Sequence, residues 1–176
     1  MLGSVLLTSS ASGLDKVAIT IDPGHLTFLD NNLYYDTSFA GVLRINDVMD
    51  YAPADLKYRG SYTLLGQVQS SRPQRNWKVK VPDDQRYRDY TTWNFNHQPH
   101  LRERLAYDLM AAAGVPCVST RHVGFRVNGV SHGAYLEFPD PDTKRWLRNT
   151  FGTAADRSVG DIYKAATDRP HLPRKW

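Results

Sequence analysis

The chain has 176 residues, 22 basic and 18 acidic side chains, and a formal net charge of +4. That length supports one hydrophobic core and is short of two. A single cysteine, Cys117, excludes an internal disulfide and every multi-cysteine metal site, and basic residues scattered singly do not by themselves nominate a polyanionic partner. Residues 1–14, MLGSVLLTSSASGL, lack the basic start and the length of a secretory signal and are too short to cross a bilayer, so they read as a flexible lead-in. No signal peptide or transmembrane segment is evident in this chain.

KVAITI reads as a first strand ended by the DPG turn at 22–24, and HLTFLDNN as a short helix near 25–32. GVLRI and ADLKYRG suggest two further strands, and the glycine, serine and proline of residues 61–73 suggest a long hairpin or loop. In residues 76–81 alternation sets Trp77, Val79 and Val81 on one side and Asn76, Lys78 and Lys80 on the other, the pattern of a half-buried strand. The following PDDQRYRDYTTWNFNHQP shows no defended period, and its aromatics Tyr87, Tyr90, Trp93 and Phe95 are assigned to pinning a long connection onto the core.

HLRERLAYDLMAAAG is the clearest helix, over about 100–113, with Leu101, Leu105, Leu109 and Ala112 as its apolar stripe and Gly114 and Pro116 as its stop. Asp108 falls beside that stripe and Glu103 points away from it, so Asp108 is the acid expected to matter. HVGFRVNGVSHGAYLEF is a hairpin turned at Asn128-Gly129, a pair that accepts the positive φ of a two-residue turn. Asp142 is expected to cap a second helix, TKRWLRNTF, closed by Gly152, and GDIYKA to form a last strand. Residues 167–176 read as a truncated tail. The fold class expected is α+β: an antiparallel sheet containing residues 76–81 and the hairpin, with helices packed on it.

The chemistry-bearing candidates are cationic. Lys78 and Lys80 project from the polar face of their strand, Arg59 and Arg75 carry guanidinium groups able to grip phosphate in a bidentate manner, and Asp108 is placed to hold a lysine. The plainer reading leaves all of them as solvated charges at a sheet edge. The histidines form no HxH or HExxH pattern, and His97 and His100 lack a third ligand near them in sequence. Cys117 reads as a small buried side chain. There is no P-loop or G-x-G-x-x-G, and the glycines of GSYTLLG, at 60 and 66, are a weak phosphate-covering signal.

Five pieces in order, the RGS of 59–61, the PQRNWKVK of 73–80, the LRERLAYDLMAAAGVP of 101–116, the VNGVSHGAYL of 127–136 and the late GDIYKA, resemble the CotH kinase family, the spore coat protein H-like proteins. The likeness runs over roughly residues 15–166, taken as a partial domain. It implies the N-terminal lobe of an atypical protein-kinase-like fold that uses ATP with magnesium or manganese to phosphorylate serine-rich proteins. The cationic candidates Arg59, Arg75, Lys78 and Lys80, with Asp108, are the residues expected to meet that nucleotide on the physical reading of the strand. Gln74 and Arg75 stand where the family has paired lysines, and Pro139 where it has a glutamate. The family's catalytic and metal-binding aspartates lie beyond the tyrosine-lysine-alanine segment, so the expectation is a kinase in a longer parent and an inactive lobe here. A protein-binding module that does no catalysis is the alternative. A nucleic-acid-binding domain is disfavoured, because the aromatics of the lysine strand alternate away from its lysines.

Overall fold

The computed structural model describes residues 13–33, 35–60, 74–97 and 100–152. Its seven described strands are β1 (Asp15–Ile21), β2 (Phe39–Ile45), β3 (Met49–Tyr58), β4 (Trp77–Lys80), β5 (Thr92–Asn96), β6 (Arg121–Val127) and β7 (Val130–Pro139). Three described helices accompany them: α1 (Pro23–Asn31), α2 (His100–Ala112) and α3 (Lys144–Phe151). The expected loop over 61–73, the expected strand over 160–165 and the tail from 167 lie outside the described residues.

The strands close into a barrel in the order β1-β2-β3-β4-β5-β7-β6. Neighbours are antiparallel except at the seam, where β1 runs parallel to β6 with Val17 opposite Phe125. This corrects the expected α+β lobe built on an open antiparallel sheet. The expected strand and hairpin do share one sheet, but that sheet has no free edge, because β1 and β6 pair across more than a hundred residues of sequence.

Period-two alternation explains what fills the barrel. Val17, Ile19 and Ile21, Leu43, Leu56, Trp77 and Val79, Trp93 and Phe95, Val123 and Phe125, and Tyr135 all turn inward and are buried. The β6–β7 turn has Asn128 at φ 48° and Gly129 at φ 82°, as its sequence requires. Asn128 also ties this turn to the end of β1, accepting from the Ile21 N–H and donating to the Ile21 carbonyl, each at 2.9 Å.

A second, smaller apolar layer lies outside the barrel, where Leu136 and Phe138 of β7 pack with Val118 and Trp146. Trp146 belongs to α3, whose N-cap is Thr143, its hydroxyl accepting from the Trp146 N–H at 3.2 Å. The expected cap, Asp142, stands one residue earlier. Helix α2 departs further from expectation. None of its residues is buried, and Leu101, Leu105 and Leu109 of the expected core stripe are each more than half exposed. It meets the barrel with its other face, through Glu103, Arg104 and Tyr107.

Candidate functional site

Strand register stacks polar side chains on the outer face of the barrel. One rung runs Asp55, Lys80, Thr92 and then Asp140, whose N–H donates to the Thr92 carbonyl at 2.9 Å. The next runs Lys57, Lys78, Asn94, Phe138, and beyond it Asn96 stands opposite Leu136. Together with Ser38, Asp142 and Thr143, the lysines, Asp55, Thr92 and Asp140 line an open groove of ≈ 330 Å³.

Each groove lysine has a carboxylate. Lys57 pairs with Asp36 at 2.6 Å, Lys80 with Asp83 at 3.3 Å, and Lys78 with Asp140. The last pair differs from the others because Asp140 is 4% exposed. Lys78 is on β4 and Asp140 follows β7, so their contact passes over β5, above Thr92 and Asn94. Burial pushes the Asp140 carboxyl up, but the Lys78 hydrogen bond and charge, the Asp142 N–H and the Arg59 charge together hold it below the usual aspartate range.

Beside the groove, Arg59 is set into the outer layer. Its guanidinium lies over the Phe138 ring at 5.3 Å and donates to Asn96 Oδ1 at 2.7 Å. Burial lowers its pKa, against the raising effect of Glu103 and Asp140. The Asn96 amide then donates to both Glu103 oxygens, at 3.0 and 2.7 Å, so a chain of hydrogen bonds runs from the β3 end to α2. Asn94, on the same face of the same strand, is 1% exposed, and neither its Nδ2 nor its Oδ1 has a hydrogen-bond partner. A buried donor or acceptor left without a partner costs about 1–3 kcal/mol, so two such atoms in one side chain call for a reason.

The structure brings Lys78 and Lys80 into the groove and puts Arg59 next to it. Arg75 lies apart, 3.8 Å from Asp30, and Asp108 pairs with Arg104 along α2, away from the lysines. The acid that holds Lys78 is Asp140, and the acid by which α2 reaches the barrel is Glu103. Lys57, Asn94 and Asn96 are not singled out by the sequence, and Asp140 reads there as a capping or solvated carboxylate. The signal for the asparagines was present: in TWNFN polar and apolar residues alternate over the whole of β5. A third histidine, His122, does join His97 and His100 in ring contacts of 5.4 and 6.0 Å. Among the described residues, however, no group of three or more His, Cys, Asp or Glu is placed to hold a metal ion. The divalent metal implied by the resemblance therefore has no fitting ligand set there.

The CotH kinase protein family model matches residues 56–175, and the chain belongs to that family. No curated protein matches the chain. Membership does not carry the expected activity with it. The described residues form a closed barrel packed solid with side chains, lacking the lobe architecture and the nucleotide cleft that the resemblance implied. This corrects the expected role of nucleotide-binding lobe in an ATP-dependent protein kinase, and with it the transferase and phosphorylation roles. Among the described residues no helix is long and apolar enough to cross a membrane.

Proposed function

We propose that the domain is a protein-binding module whose outer-face groove takes an anionic group of its partner. The observation that carries this is the direct opposition of Lys57 and Lys78 on adjacent strands, with Lys80 one rung away. Like charges so placed repel, and an anion between them relieves the repulsion. Each ammonium has three donors, more than its one carboxylate partner uses. Asp55, Asp140 and Asp142 also line the groove, and Asp36 and Asp83 pair with Lys57 and Lys80, so carboxylates outnumber the lysines and the site suits one local anion flanked by hydrogen-bond donors and not a uniform polyanion. The large aromatics of β4 and β5, Trp77, Trp93 and Phe95, turn into the barrel and offer no stacking surface beside the lysines.

The test is fluorescence anisotropy with a labelled acidic peptide at low salt. Lys57→Met and Lys80→Met break only surface ion pairs, so folding stability should move by less than about 1 kcal/mol. Peptide affinity should fall about tenfold for each and weaken with added salt, since exposed charges are screened over roughly 10 Å at 0.1 M. Absence of saturable binding by the unaltered protein would reject the reading. ATP, with and without magnesium, serves as a competitor, because its phosphates would meet the same lysines.

A further inference from the structure

Two asparagines one rung apart on the outer face of β5 have opposite fates. Asn96 is fully engaged, accepting from Arg59 and donating to Glu103. Asn94 is equally enclosed and engages nothing, although it lies between Lys78 on one side and Phe138 on the other. An apolar side chain there would complete the neighbouring layer of Leu136 and Phe138 without leaving polar atoms unpaired. A carboxamide is the costlier choice for folding alone.

We infer that Asn94 reads the backbone of the bound partner: its carboxamide pairs with the N–H and C=O of one residue in an extended peptide whose anionic side chain rests on Lys57, Lys78 and Lys80. This rests on the groove reading above and names the class of ligand. A carboxamide presents a donor and an acceptor side by side, the complement of the two main-chain groups of an extended residue. An inorganic anion would satisfy only the Nδ2 donor and leave Oδ1 unpaired. The same geometry supplies the route in. The Lys78–Asp140 pair crosses β5 from the Asn94 rung to the Thr92 rung, at the border between the groove and the enclosed amide, so an anion that draws the Lys78 ammonium from Asp140 opens a way to that amide. Anion capture and backbone reading are then two stages of one event, and the source of the anion, a glutamate or a phosphorylated side chain, is open to choice by the partner.

The experiment compares three probes on the whole chain: a labelled extended peptide with one glutamate, the same peptide with one phosphoserine, and inorganic pyrophosphate. Asn94→Leu should raise or preserve the melting temperature and weaken both peptides at least tenfold, while pyrophosphate, which can use only the amide donor, should lose clearly less affinity than the peptides. A peptide whose amide N–H at the anionic residue is replaced by an ester oxygen should bind the unaltered protein about tenfold more weakly, a measurement that needs no variant to fold. Equal peptide affinity for the unaltered protein and Asn94→Leu, or no penalty for the ester, overturns the inference while the groove reading stands. Failure of all three probes to bind the unaltered protein overturns both.

Discussion

Two carboxylates three residues apart at the end of β7 face opposite sides of the barrel wall. Glu137 turns inward, is 1% exposed, and meets the Arg121 fork at 2.7 and 3.0 Å and the Tyr87 hydroxyl at 3.2 Å. Arg121 also contacts Asp15 of β1, so this cluster fastens the β1–β6 seam. Asp140 turns outward and is held by the half-exposed Lys78 in the groove. Burial raises the Glu137 carboxyl in spite of Arg121, whereas Lys78 and its neighbours win over burial at Asp140 and lower it. The inner pair fastens the barrel seam, and the outer pair stands at the edge of the groove.

The largest effect expected is at the inner pair. Arg121→Met leaves Glu137 charged and enclosed, and removing one partner of a buried pair costs about 3–5 kcal/mol. Lys78→Met should cost less, about 2 kcal/mol, because Asp140 retains the Asp142 N–H and the Arg59 charge and borders an open groove. Urea denaturation of both variants measures the difference. Equal losses would mean that inside and outside of the wall are not energetically distinct. The comparison sharpens with Lys78→Met/Asp140→Leu, which should recover most of the single-variant loss because no charge remains unpaired.

Acidity should separate the same two groups by sign. The Glu137 pKa is raised above 4.5 in the folded chain, so its contribution to stability is fully present below 4.5 and is lost as pH rises through the raised value. The Asp140 pKa is lowered below 3.8, so its contribution is present above 3.8 and is lost as pH falls through the lowered value. Unfolding free energies against pH for Glu137→Gln and Asp140→Asn, each subtracted from the unaltered protein, should therefore slope in opposite directions. Parallel slopes would reject the assignment of opposite shifts.

Local pattern revealed much of the wall and little of what stands on it. Alternation in KVAITI and WKVK, and the Asn128-Gly129 turn, located β1, β4 and the β6–β7 hairpin, because each depends on neighbours in sequence. Closure did not show, since the pairing of Val17 with Phe125 has no local signature. Strand β5 alternates as cleanly as β4, but its outward residues Thr92, Asn94 and Asn96 are buried too, so its polar positions were no guide to exposure. Lys78 and Lys80 were legible as a polar face, and Arg59 as a cation near it. Their partners were not: Asp140 follows a strand that lies two places away in the barrel, and Glu103 comes from a helix whose leucine periodicity pointed to the wrong side.

That helix gives the smallest effect expected and the sharpest check on the outer layer. A leucine at the 101, 105, 109 spacing is ordinarily a core residue, and truncating or polarising one costs several kcal/mol, roughly 2–5. Here Leu105 is 59% exposed, while α2 is attached by the Glu103–Asn96 hydrogen bonds, by Arg104 on the Thr120 carbonyl at 2.7 Å and by the Tyr107–Phe138 ring contact. Leu105→Ser should then change stability by less than about 0.5 kcal/mol, the range of surface substitutions. Tyr107→Ala, which removes one of the few apolar contacts between α2 and β7, should cost more. The two are compared by thermal melting at several protein concentrations. A loss above about 1 kcal/mol for Leu105→Ser would show that the leucine face is covered in solution, and a concentration-dependent melting temperature would identify a second copy of the chain as the cover. A small loss at every concentration leaves the polar face of α2 as the side that binds the barrel, with Glu103 and not Asp108 as the acid that orients it.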